Sequence, residues 1–110
     1  MGVLDTPKLF YEGQPGTGDT LLYTAPAAGV SAVRAIHVAN TTGTAATITI
    51  GLNTGAGVVA AEHFLSAVSI PPNGTYDWSG WQVVSASETI RGLQGTGTAL
   101  TVTISGVESS

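Results

Sequence analysis

The chain has 110 residues, a net charge of −4 and charged side chains at only 9%, against about a quarter in ordinary soluble domains. That length supports one domain with one core. With Lys8, Arg34 and Arg91 as the only cations and no cysteine, the composition argues against nucleic acid and against an anionic membrane surface as partners, and it excludes disulfides and thiolate zinc sites.

The first residues lack a basic n-region and a continuous apolar h-region, so no signal peptide is expected, and no run reaches the length of a membrane span. Residues 1–20 differ from the rest: Pro7, Pro15 and several glycines interrupt a cluster of Leu9, Phe10 and Tyr11. They read as an extended N-terminal arm packed across its own domain or a neighbour, with Leu9, Phe10 and Tyr11 as assembly residues. The other reading is a first edge strand of the same domain.

From Leu21 onward, residues 21–110 read as a β-sandwich domain. Val33–Val38, Thr47–Leu52, Phe64–Ile70, Tyr76–Val84, Thr89–Leu93 and Leu100–Ile104 are rich in β-branched or aromatic residues. In Thr47-Ile48-Thr49-Ile50 and Leu100-Thr101-Val102-Thr103-Ile104, threonine alternates with aliphatic residues, which predicts one wet and one buried face. Asn40–Gly43, Asn53–Gly55, Pro71–Gly74 and Gly95–Gly97 supply turn chemistry. No segment carries a helical stripe. The expected fold is all-β: an antiparallel β-sandwich of about eight short strands, jelly-roll-like or immunoglobulin-like.

Candidate chemistry is sparse. The seven acidic residues are scattered, and solvated surface accounts for them. His37 and His63 have no metal-binding motif around them, though Glu62-His63 supplies half of such a site. Ser66, His63 and Asp77 have the side chains of a triad without a nucleophile elbow. No catalytic residue, metal or other cofactor is expected, and the chain reads as a non-enzyme. The richest local feature is Tyr76-Asp77-Trp78-Ser79-Gly80-Trp81, which holds both tryptophans. Tyr76, Trp78 and Trp81 read as an interface or core plug, or as a sugar-stacking cluster if exposed side by side, with Gly80 a bulge that re-aims Trp81.

Natural sandwiches usually guard their edges with lysine, proline or inward charge. The single lysine here reads as lying far from any strand core, and the strands present threonine, serine and alanine. That favours a homo-oligomer whose neighbours cover the edges.

Leu22–Ala27, Ile36–Gly43, Ile70–Gly74 leading to Trp78 and Trp81, and Ala99–Glu108 together resemble the small β-sandwich virion proteins of tailed bacteriophages. The resemblance implies a structural virion protein assembled in the host cytoplasm, with major capsid or tail proteins as partners. A capsid decoration protein, trimeric and attached by its N-terminal arm, is the first placement. A minor tail protein or host-adhesion module binding cell-surface carbohydrate is the second. No site residues follow from it.

Overall fold

A computed structural model describes residues 6–18, 20–27, 29–53, 63–95 and 99–109. The strands are β1 (Thr6–Gly13), β2 (Thr20–Thr24), β3 (Val30–Asn40), β4 (Ala46–Asn53), β5 (His63–Ile70), β6 (Thr75–Val84), β7 (Thr89–Gln94) and β8 (Leu100–Ser109). No helix occurs among the described residues. All six strand segments expected from period and composition lie inside these elements.

The sheets have strand orders β1-β8-β3-β6 and β2-β7-β4-β5. The pairings β1·β8, β2·β7, β3·β6 and β4·β5 are those of one long antiparallel hairpin. The hairpin is rolled so that β3 also meets β8 and β4 also meets β7. Eight strands wound this way form a jelly roll, which resolves the two expected sandwich types.

Between the sheets lie Ile36, Ile48, Ile50, Ile70, Ile90, Leu100, Ile104 and four valines, all essentially inaccessible. Each such burial contributes about 1.5–3 kcal/mol, so these strands supply most of the apolar driving force. Two buried amides hold one end of the roll. Gln94 Nε2 donates to the carbonyls of Pro15 and Leu100, while its Oε1 accepts from the Ala99 and Leu100 N–H groups. Asn40 Nδ2 donates to the carbonyls of Thr44 and Ile70, and its Oδ1 accepts from the Thr42 N–H and hydroxyl. Thr49, expected on a wet face, is buried, and its Oγ1 accepts from the Ala67 N–H at a bulge in β5 where Ala67 takes φ +47°.

Residues 6–13, within the stretch expected as an extended arm, form the edge strand β1, paired along its length with β8. Of the two readings for that stretch, the strand applies to 6–13; residues 1–5 lie outside the described residues. The physical reason is Phe10. It is an extra residue in β1 between the pairs Leu9·Ser105 and Tyr11·Ile104, and its ring stacks on Tyr23 of the other sheet at 4.1 Å. Gly106 leaves the room for that ring. A Cβ there would stand 2.0 Å from the Ala32 carbonyl oxygen and 2.9 Å from the Phe10 ring.

The edges are also better guarded than the composition implied. Lys8 lies on edge strand β1, not far from the strands, and pairs with Glu108 at 3.7 Å. Register shifts interrupt the ladders of β1, β2, β5 and β6, the four outer strands. Bulges twist an edge away from a would-be partner strand. A sheet face, more than an edge, is therefore the surface this fold leaves open to partners.

Candidate functional site

Three bulges fall on one line across the first sheet. Phe10 is the extra residue of β1 and Arg34 the extra residue of β3, both against β8, while Gly80 and Trp81 of β6 together face Arg34. The expected bulge at Gly80 is thus present, with Trp81 turned outward. Arg34 follows it: its guanidinium carbon lies 4.9 Å from the Trp81 ring centroid, and its Nε donates to the Gly80 carbonyl at 3.2 Å. The cation over the ring is favourable by about 0.5–1 kcal/mol at an exposed site.

Registers order the outer face of this sheet into rows. Pro7, Val107, Ala32 and Val83 stand side by side across β1, β8, β3 and β6. The next row holds Leu9 and Ser105 with Arg34 and Trp81 at the bulge, and the following one holds Glu12, Thr103, His37 and Asp77. Among the described residues, five large hydrophobic side chains are exposed: Leu9, Leu21, Val30, Trp81 and Val83. All but Leu21 lie on this one face, with Trp81 at 57% and Leu9 at 53% exposure. A shallow depression of about 420 Å³ beside them is lined by Pro7, Lys8, Leu9, Arg34, Ser105 and Gly106. Two of the chain's three cations border it.

The aromatic cluster does not come together. Tyr76 and Trp78 are half-buried and pack against the core, whereas Trp81 is alone on the outer face. The Leu9-Phe10-Tyr11 cluster divides likewise: Leu9 is out, Phe10 in the core and Tyr11 packed against it. Alternation along β6 accounts for the first separation, and alternation together with the Phe10 bulge, which leaves Phe10 and Tyr11 both turned to the core, accounts for the second.

The nominal triad is not assembled around His63. Asp77 sits on β6 with an oxygen 2.5 Å from His37 Nδ1, on the outer face, whereas Ser66 lies on β5 of the opposite sheet. Glu62 and the His63 side chain lie outside the described residues. No cluster of three His, Cys, Asp or Glu side chains suited to a metal occurs among the described residues. Carboxylate chemistry appears instead where the sequence offered no signal. Tyr23 Oη donates to Glu108 Oε2 and lies 2.9 Å from Ser31 Oγ at the open end of the roll. Burial, then the bond to Glu108, pushes the Tyr23 hydroxyl up to about 12. These groups tie β2, β3 and β8 together across the two sheets.

No protein-family model and no curated protein matches the sequence. Among solved structures, that of infectious bursal disease virus Gt strain is similar over 99% of this chain and 30% of that chain, at 10% identity and a TM-score of 0.29. The chain thus spans less than a third of that virus protein, and a likeness this distant says nothing of function.

Proposed function

We propose that the chain is a non-enzymatic structural protein of the virion of a tailed bacteriophage, a capsid decoration protein that works through its surfaces and not through a catalytic site. The observation that carries this reading is the gathering of Leu9, Val30, Trp81 and Val83 on one face of a small jelly roll. Clustered exposed apolar residues with arginine and tryptophan among them are the composition of a protein interface. The sequence stretches that resemble phage virion proteins support the same reading. Attachment then consists of many weak apolar and hydrogen-bonded contacts, repeated by symmetry until they amount to permanent binding. The outer face supplies them, with Thr6–Gly13 built into it as the edge strand β1.

Quantitative mass spectrometry of gradient-purified particles tests this reading. A fixed copy number that is a multiple of the particle's symmetry is expected, and absence of the chain from infectious particles refutes it. A second reading, a tail or host-adhesion module for cell-surface carbohydrate, is favoured by the exposure of Trp81 alone. It requires oligosaccharides to shift tryptophan emission in the isolated protein.

A further inference from the structure

The face that carries the proposed function has a charge pattern complementary to itself. The row of Leu9, Ser105, Arg34 and Trp81 is cationic, with Lys8 at its depression. The adjacent row, about 7 Å along the strands, carries Glu12 and Asp77. Among the described residues the ion pairs are Lys8 with Glu108 and His37 with Asp77, so no described carboxylate pairs with Arg34.

On these grounds we propose that the outer face of β1-β8-β3-β6 binds a second copy of this chain face to face, about a two-fold axis that runs across the strands between those two rows. This rests on the reading of that face as an interaction surface and names its partner. A two-fold contact is self-complementary, so each pairing occurs twice. Rotation about that axis keeps each strand over its counterpart and lays the cationic row of one copy on the acidic row of the other. Arg34 leans toward β6, over Trp81, and β6 is the strand that carries Asp77. Its guanidinium therefore meets Asp77 of the second copy. On the opposite side, Glu12 of the second copy on β1 meets the depression bordered by Lys8 and Leu9. Val83 and Val107 come to lie on Thr75 and Thr101, which present methyl groups to them.

The available area suffices. Four strands about 4.8 Å apart and about eight residues long at about 3.3 Å present roughly 500 Å² in projection. Two copies then bury about 1,000 Å² before side-chain relief is counted, where specific interfaces begin.

The test is sedimentation equilibrium on the full chain with a charge exchange. The wild type is expected to form a dimer. R34D and D77R should each weaken it at least about tenfold, because each sets like charges together, and the R34D/D77R double variant should recover most of the loss. Circular dichroism checks that each variant is folded; both substituted side chains are exposed. A monomer at about 200 μM, at least tenfold above the micromolar range in which a specific contact associates, would overturn the proposal. So would a trimer, or single variants that dimerise like wild type. A monomer that is nevertheless present in purified particles refutes the two-fold contact alone. A charge-dependent dimer that is missing from particles refutes the virion role alone.

Discussion

Replacing Phe10 with alanine separates a strand from an arm. Phe10 is 7% exposed and stacks on Tyr23 across the two sheets. A buried phenylalanine cut to alanine costs about 3–5 kcal/mol from lost transfer energy and the residual cavity. Phe10 sits on an edge strand where neighbours can relax, so the lower end applies, about 3 kcal/mol. For a domain of this length each kcal/mol moves Tm by about 4 °C, giving a fall of about 12 °C. Leu9 is the internal control: it is adjacent in sequence, but 53% exposed, and its replacement by alanine should cost no more than about 0.5 kcal/mol. Urea denaturation followed by far-ultraviolet circular dichroism, at a protein concentration low enough to keep the chain monomeric, reads both. Equal and small effects at the two positions would mean that residues 6–13 do not belong to the folded core.

Two further outcomes follow from the ends of the roll. Gln94→Ala removes the acceptor for two buried N–H groups and the donor to Pro15 and Leu100; at about 1–3 kcal/mol for each buried group left unpaired, a loss of about 3 kcal/mol in urea titration is expected, and less than about 1 would contradict it. Tyr23 gives a pH signature. Its folded-state pKa of about 12 exceeds the unfolded value near 10, so its stabilisation is complete below about pH 10 and drains away as pH rises toward 12. Tyr23→Phe should flatten that part of the stability profile, leaving the slope from Tyr11, whose hydroxyl burial also raises. An unchanged alkaline slope in Tyr23→Phe would contradict the assignment.

Period and composition were enough to read the sandwich. Ile48 and Ile50, or Val102 and Ile104, alternate with threonine because each strand has one face in the core, and that constraint is local. What escaped depends on register, a property of two strands at once. Nothing near Arg34 announces that Trp81 will stand beside it, because the bulges that bring them together appear only when β3 is laid on β6. The same holds for His37 with Asp77, 40 residues apart, and for Tyr23 with Glu108, 85 apart. Within residues 1–20, the stretch 6–13 read equally as arm or edge strand because proline and glycine flank the cluster. Phe10 reaches the core through a bulge over a glycine, a device that leaves no periodic trace. The guarding of the edges escaped for a related reason: composition counts lysines but cannot count bulges.

If one face of this roll is its working surface, hydroxyl-radical footprinting shows that face becoming covered on assembly. Oxidation is compared between the dilute chain and the assembled chain, in the dimer and in purified particles. Leu21, 49% exposed on the other sheet, serves as reference. Trp81, Leu9 and Val83 should become protected severalfold on assembly while Leu21 reacts as before. Unchanged oxidation of Trp81 in the assembled state, or protection of Leu21 in its place, would contradict it.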